Sequence, residues 1–376
     1  MKHISSAIAA LLLSTITICA EDDFFKKAHK SNIESEIKIQ KAYDSVSKIL
    51  NENKKLKQTK KATVKTTFTK LIPLLHPKII STIDTSVYAK NIILSKDETM
   101  AYIADARGGV NIINTKESSI INKIHTPGSA MDLAISDDQN YLFVADKQAG
   151  IEIIDITNPK KTKIIASLKT LSDAKSLSLS ADNKFLFVTN ENSGIVIIDV
   201  QNPANPKKIS KVKTKGYAEG IALSDDGKYA FIAVGAFGLQ IVNIQNINNP
   251  HTISKLNTPD YAQSITISKN ANYAFIADNK SGMQIINIAN IYNPTIISSL
   301  KTQNQATSIT LSNDQKTAYI ADYEAGIQIV DISNIYKPTL KDTLNTKSYA
   351  EDIKISKDNQ KAYIADGWSG IVVVKM

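Results

Sequence analysis

Residues 220–256 read GIALSDDGKYAFIAVGAFGLQIVNIQNINNPHTISKL. Four short apolar stretches stand out, Gly220–Ser224, Tyr229–Val234, Leu239–Ile244 and Thr252–Leu256. Each is rich in Ile, Val or other strand formers, and each is bounded by Asp, Gly or Asn-Pro turns, which is the pattern of consecutive β-strands. No run with a helical period interrupts them. A unit of four strands in about 44 residues has the metric of a propeller blade, unlike the helix pairs of TPR or HEAT repeats.

The same unit recurs along the chain. Its most regular landmark is an apolar-Ala-Asp step closed by Gly: IADARGG (103–109), VADKQAG (144–150), VTNENSG (188–194), IAVGAFG (232–238), IADNKSG (276–282), IADYEAG (320–326) and IADGWSG (364–370). The third residues of these seven copies, at 105, 146, 190, 234, 278, 322 and 366, are separated by 41 residues once and by 44 five times. Such regularity predicts an all-β, seven-bladed β-propeller of four-stranded blades over residues 71–376.

The segments IEIIDITNP (151–159), IVIIDVQNP (195–203) and IQIVDISN (327–334), with YAEGIALS (217–224), YAQSITIS (261–268) and YAEDIKIS (349–356), resemble the LVIVD-repeat β-propellers of bacteria. The resemblance implies the fold; that family is defined by its repeat and carries no active-site signature. WD40 and Kelch signatures do not recur. The first unit departs from the pattern, with Asn114–Thr115 where later copies have Asp-Ile-x-Asn-Pro.

The ends of the array suggest how the ring closes. The last unit stops at Met376 after its third strand, while Pro77–Asp84 (PKIISTID) is a lone outer-strand segment ahead of the first unit. An unpaired blade edge exposes backbone donors and acceptors. Pairing Lys78–Ile83 with Ile371–Lys375 would complete the seventh blade, so the propeller is expected to be closed by an N-terminal outer strand.

Residues 1–20 read as an export signal: Lys2 and His3, then an apolar run from Ala7 to Ile18, then acidic Glu21–Asp23. Cleavage after Cys19 or Ala20 gives a periplasmic, cell-surface or secreted product. Cys19 is the sole cysteine, which raises a lipid anchor as the alternative, although Ile18 is not the small residue a lipobox has before its Cys. Residues 21–70 are Lys-rich. Phe25, Ile33, Ile37, Tyr43, Val46 and Leu50 recur at near-helical spacing and predict one amphipathic helix, followed by a basic linker at 57–67.

The net charge of +9 comes from 45 Lys and Arg against 36 Asp and Glu, but Arg107 is the only arginine. That argues against nucleic acid, whose base edges and phosphates favour the guanidinium fork. A single Cys excludes a disulfide framework and Cys-rich metal sites. Five scattered His, no GxxxxGK loop and no GxSxG elbow leave no metal, phosphate or triad motif, and one Trp argues against a quinoprotein. No cofactor and no further membrane span are expected.

Candidate binding residues lie in the two loop sets that share one face of a propeller around its channel. After the recurrent Ala of each first strand come Lys90, Met131, Lys175, Glu219, Gln263, Thr307 and Glu351. The second-to-third loops supply Arg107, Lys147, Glu191, Phe237, Lys280, Tyr323, Glu324 and Trp368, and Tyr217, Tyr261 and Tyr349 precede the recurrent Ala. Arg and aromatic side chains at the centre of a concave face are the usual anchors for a partner. Trp368 is expected to be exposed, with Arg107 as a neighbour across the seam. The repeated Asp105, Asp146, Asp278, Asp322 and Asp366, with Asn190, read as turn-stabilising residues and not as a Ca²⁺ ring.

The expected function is an exported, non-enzymatic binding or scaffold protein whose channel face takes an envelope protein, peptide or glycan. The alternative is a lactonase-like hydrolase with a metal on Glu219 and Glu351. Fold alone does not decide between them.

Overall fold

The computed structural model describes residues 76–376. The signal segment with Cys19, the amphipathic stretch and the linker lie outside the described residues. His76–Met376 forms one compact unit. Its 28 strands assemble into seven four-stranded antiparallel sheets, which confirms the all-β, seven-bladed propeller. Blade 1 comprises Asn91–Leu94, Met100–Ala104, Val110–Asn114 and Ser119–Ile124. Blades 2 to 6 repeat that order from Asp132, Ala174, Gly220, Ser264 and Ser308. The seventh sheet contains Asp352–Ile355, Lys361–Ala365, Ile371–Lys375 and, at its outer edge, Lys78–Ile83.

Lys78–Ile83 runs antiparallel to the last strand, with Lys78 opposite Lys375 and Ile83 opposite Ile371. The ladder slips between Ile79 and Ser81. Every other blade has the same irregularity between its third and outer strands, for instance at Ile241/Val242 and Ile329/Val330. A bulge increases the local twist and turns the outer strand away from further pairing.

The hydrophobic core is divided into seven layers, each between neighbouring blades. Second and third strands have both faces buried, as in Tyr229–Ala233 and Leu239–Asn243, and therefore read as continuous apolar runs. The middle of each second strand carries a large aromatic, and the next blade answers with a smaller residue. Phe187 packs with Ala230, Phe231 with Ala274, Phe275 with Ala318, Tyr319 with Ala362 and Tyr363 with Ala101. Large-against-small packing lets neighbouring blades interdigitate, and truncating one such Phe to Ala costs about 3–5 kcal/mol. The last layer joins blades 7 and 1 and includes Ile83 of the outer strand.

The first hairpin of each blade has a fixed polar lock. Ser95, Ser136, Ser180, Ser224, Ser312 and Ser356 each donate a hydroxyl to the Asp two residues later, at 2.5–2.7 Å, and in blade 5 Ser268 donates to Asn270. These hydrogen bonds hold Asp97, Asp138, Asp182 and Asp226 below the ordinary carboxylate range.

A buried carboxyl distinguishes blade 2. The second position of the third strand is Gln240, Gln284 and Gln328 in blades 4 to 6 and Glu152 in blade 2, all buried. Ser299 and Thr343 donate to Gln284 and Gln328, as Ser167 does to Glu152. The Gln284 and Gln328 amides donate in turn to Ser281 O and Ala325 O, so the repeat places Ala149 O ready for a glutamine in blade 2. Burial pushes Glu152 up, and nearby Asp146 adds to the rise. A folded pKa above the unfolded one means that stability falls as pH rises through that interval. Glu152→Gln removes the penalty. The variant is expected to melt a few degrees above the parent at pH 7–8, since 1 kcal/mol moves the midpoint by about 2–4 °C in domains of 150–250 residues. The gain should vanish below about pH 4, where an ordinary Glu is protonated in both states. Scanning calorimetry across that range is the check; a gain independent of pH would refute the assignment.

Candidate binding face at the channel mouth

Each seam between blades joins the two loop sets on one face. The recurrent Ala before a first strand donates its backbone N–H to a carbonyl of the second-to-third loop of the preceding blade: Ala89 to Gly367, Ala130 to Ala106, Ala174 to Lys147, Ala262 to Gly235, Ala306 to Asn279 and Ala350 to Tyr323. Ala218 donates to Glu191 O. These alanines are fully buried, so any larger side chain would force the seam apart. The residue after each Ala then turns inward. Lys90, Met131, Lys175, Glu219, Gln263, Thr307 and Glu351 line a central cavity of ≈ 510 Å³.

Charges at this mouth are paired across the sequence. Glu351 accepts hydrogen bonds from Tyr88 Oη (2.6 Å) and Lys90 Nζ (2.7 Å), from the opposite end of the array. Three blades away, Glu219 accepts from Tyr261 Oη (2.6 Å), and Lys175 Nζ lies 3.6 Å from Glu219 and 3.4 Å from Glu191. Burial, reinforced by the glutamates, raises both tyrosines well above the usual phenol range, so they remain neutral donors. Below this ring, Asp352 accepts from Ser308 Oγ (2.6 Å), Asn91 Nδ2 (2.9 Å) and Lys354 Nζ (2.8 Å). Asp132 accepts from Ser176 Oγ (2.5 Å) and Leu177 N (2.9 Å), and burial pushes it up to about 6. Both carboxyls stitch neighbouring first strands together.

Aromatic residues collect at two adjacent seams, between blades 6 and 7 and between blades 7 and 1. Tyr323 stacks on Tyr349 at 4.3 Å between centroids, Tyr349 lies 6.3 Å from Tyr88, and Trp368 meets Tyr88 edge-on at 4.9 Å. Trp368 is 66% exposed, and its backbone N–H donates to Ser348 Oγ. Its neighbour across the seam is thus Tyr88. Arg107 lies one seam further round, in the loop bridged to Ala130.

The other expected residues separate by loop position. Arg107, Lys280, Glu324 and Trp368 occupy the exposed tip. Lys147, Glu191 and Tyr323 stand one residue earlier and are half-buried, Lys147 and Tyr323 with positive φ. Phe237 stands one residue later and folds back against Gly216, with Lys215 Nζ 4.5 Å above its ring. Tyr217 is exposed, whereas Tyr261 and Gln263 are half-buried beside the channel. Tyr88 is the residue the sequence reading passes over, although YAKNIILS (88–95) repeats the pattern of YAEGIALS (217–224).

The repeated Asp residues do not converge on the channel. Asp105, Asp146 and Asp278 accept hydroxyl bonds from Thr85 (2.7 Å), Thr126 (2.7 Å) and Thr258 (2.6 Å), twenty residues earlier. They pin the loop entering a blade to the turn between its second and third strands, a longer-range tie than a local Asx turn. Burial raises all five carboxyls. Blades 3 and 4 have Asn190 and Val234 instead, and there Thr170 and Thr214 donate to Ser172 O and Gly216 O. Among the described residues no group of three or more His, Cys, Asp or Glu is placed to hold a metal ion. Glu219 and Glu351, on blades 4 and 7, are each held by their own Tyr and Lys. No helix among the described residues is long and apolar enough to cross a membrane.

Two family models match the chain. The LVIVD repeat matches at 215–258, 259–302, 305–346 and 348–375, close to one match per blade from blade 4 onward. The cytochrome D1 heme domain matches residues 94–218. A haem does not suit this channel. His125, the histidine within that span, is exposed at the end of an outer strand, and the mouth tyrosines donate to glutamates. Met131 alone faces the cavity as a side chain of the type that ligates haem iron, within a ring of charged and amide groups. No curated protein matches the sequence. Among solved structures, the chain is similar to the Cps50 (Swd1) β-propeller domain of Myceliophteria thermophila, with a TM-score of 0.68 and 10% identity over 80% of this chain and 100% of that one. It is also similar to the Kuenenia stuttgartiensis hydrazine synthase, with a TM-score of 0.65 and 13% identity over 77% of this chain and 95% of that one. At such identities the likeness is one of fold alone. The chain thus carries LVIVD repeats on blades 4 to 7 of a seven-bladed β-propeller whose strand order is the same in all seven sheets.

Proposed function

We propose that this protein is an exported, non-enzymatic binding or scaffold propeller, whose channel face holds an envelope protein, peptide or glycan, and whose ring is closed by Lys78–Ile83. The observation that carries the binding role is Trp368, a large aromatic held 66% exposed on a platform of tyrosines. Leaving that surface in water brings the fold nothing, whereas aromatic anchors at the centre of a face are where binding energy concentrates. The channel charges support binding over catalysis. Glu219 and Glu351 are each occupied by a Tyr and a Lys, and neither is poised with a free partner for proton transfer. Export rests on the segment 1–20, and N-terminal sequencing of the mature protein with a lipid assay at Cys19 tests it.

Because Trp368 is the only tryptophan, its fluorescence reports on this face alone. The free protein is expected to emit at long wavelength and to be quenched by iodide. Envelope extracts separated into protein, peptide and glycan fractions are then added. One fraction should shift emission to the blue and protect the indole. Blue, unquenchable emission from the free protein would refute the exposed platform, and no protection by any fraction would refute the binding face.

A further inference from the structure

We infer that the groove between the outer strands of blades 2 and 3 is a docking site for a linear acidic polysaccharide, on the side of the propeller and apart from the channel face. The stretches that form this side, 156–170 and 200–215, hold nine Lys and neither Asp nor Glu. The corresponding stretches of blades 4 and 5, 244–259 and 288–303, hold one Lys each. Lysine on an edge strand is a common guard against strand pairing. Such a guard does not account for the unevenness. The outer strand of blade 5, Thr295–Leu300, has no charged residue and leaves Ile296 36% exposed, so the lysines are absent where an apolar edge most needs them.

Strand register turns these lysines into the groove. Lys208 lies opposite Ile198 and Lys211 opposite Val196, and both partners belong to the layer shared with blade 2, so the two lysines stand on the face toward blade 2. Residues three apart on a regular strand point to opposite faces. The slip between Ile197 and Ile198 brings Lys208 and Lys211 into phase, two pleat positions or about 6.6 Å apart. Lys213 follows two residues on and is exposed. On the other wall Lys163 lies opposite Asp155, on the face of its sheet that carries Ile151 and Ile153 into the same layer. Of the nine lysines, only Lys163 reaches a carboxylate among the described residues, Asp155 at 3.9 Å. Asp199 stands opposite Lys207 but accepts from Gln201 N and Nε2, and Asp155 is itself engaged by Thr157 N and Oγ1.

A row of exposed ammonium groups at a regular step matches a chain that carries one carboxylate on each sugar ring. Other polyanions fit less well. Nucleic acid favours the guanidinium fork, and neither stretch contains Arg. An acidic peptide strand would add to the edge through its backbone, which the bulges at Ile153/Ile154 and Ile197/Ile198 interrupt. A lipid surface takes apolar side chains along with the charge, whereas neither outer strand exposes a large apolar residue; Leu171 is exposed but lies beyond the strand, in the next loop.

The full-length mature protein is titrated by calorimetry with hexagalacturonate, and with its fully methyl-esterified form as the uncharged control. Saturable binding to the acid and none to the ester is expected, with the binding lost by about 0.5 M salt, where exposed charges are screened. The leader is Lys-rich as well, so two variants locate the site. Lys163→Gln, Lys208→Gln, Lys211→Gln and Lys213→Gln together should weaken binding by about tenfold or more, the sum of four exposed charge contacts. Lys54→Gln, Lys55→Gln, Lys60→Gln and Lys61→Gln together should leave it within about twofold. Arg at the same four propeller positions should retain binding, and both propeller variants should keep the parental melting midpoint, because these side chains are exposed. No saturable binding to hexagalacturonate, equal binding to the ester, or a loss confined to the leader variant overturns the assignment. So does tighter binding to hexaglutamate or to phosphatidylglycerol vesicles than to the uronate, since the groove would then serve an acidic peptide or a lipid surface.

Discussion

Deleting Pro77–Asp84 is expected to abolish cooperative folding, while deleting residues 21–70 should leave the melting transition of the propeller in place. The first deletion removes the strand paired along Ile371–Lys375 and leaves that edge with unpaired backbone groups. It also removes Ile83 from the layer between blades 7 and 1 and Ile79 from the layer between blades 6 and 7. Burial of Ile83 contributes about 1.5–3 kcal/mol, and the half-buried Ile79 less, before any hydrogen bond is counted, against a typical total stability of about 5–15 kcal/mol. In the proposed closure this strand joins the two ends of the array. Without it blade 7 still packs on blade 1 through the rest of that layer, as Tyr363 does on Ala101, and through Tyr88 and Lys90 to Glu351, but its outer edge is open. Thermal melts of both truncations are the measurement, and adding a synthetic peptide of residues 77–84 should restore part of the missing transition. An unchanged midpoint in the first truncation would sink the closure proposal.

Fold and site differ in how far the sequence reveals them, and the reason is range. A strand buried on both faces writes itself locally, as YAFIAV does at 229–234, and seven near-identical copies let each unit correct the reading of the others. The channel ring is legible for the same reason, because one position after the recurrent Ala recurs in every blade. What is paired within that ring is not written locally. Lys90 and Glu351 are 261 residues apart, and only the closing of the ring makes them neighbours. The Thr–Asp ties span twenty residues, so a residue type that suits a turn is easily read as serving its own turn. Tyr88 shows the converse: its signal is present, but the unit containing it departs from the pattern further along, at Asn114–Thr115, and looks degenerate as a whole.

The repeat also supplies its own control for the second large effect, Gly194→Ala. Gly194 closes the second-to-third turn of blade 3 with φ of 83°, a region that disfavours L side chains. A Cβ there would stand 2.1 Å from Val212 O and 2.8 Å from Thr214 N, backbone atoms that cannot move without unpairing the outer strand. The corresponding glycines meet the same obstacle, as Gly326 does at Leu344 O (2.2 Å) and Gly370 at Ile83 O (2.2 Å). All seven copies keep glycine. Gly227, in the first hairpin of blade 4, has a similar φ of 67°, yet nothing lies within 4 Å of its Cβ position. At that hairpin position the other blades carry Glu98, Gln139, Asn183, Ala271, Gln315 and Asn359, all at positive φ between 52° and 61°. Positive φ alone therefore costs little here, and the close approach to the outer strand is what demands glycine. Gly194→Ala is expected to destabilise the propeller by about 3 kcal/mol or more, combining backbone strain with displacement of a packed strand. Gly227→Asn should be neutral within about 0.5 kcal/mol, as a surface turn that already accepts Asn in blades 3 and 7. Denaturant melts of the two variants compare them directly. Equal losses would mean that the dihedral angle, and not the contact with Val212, governs the position.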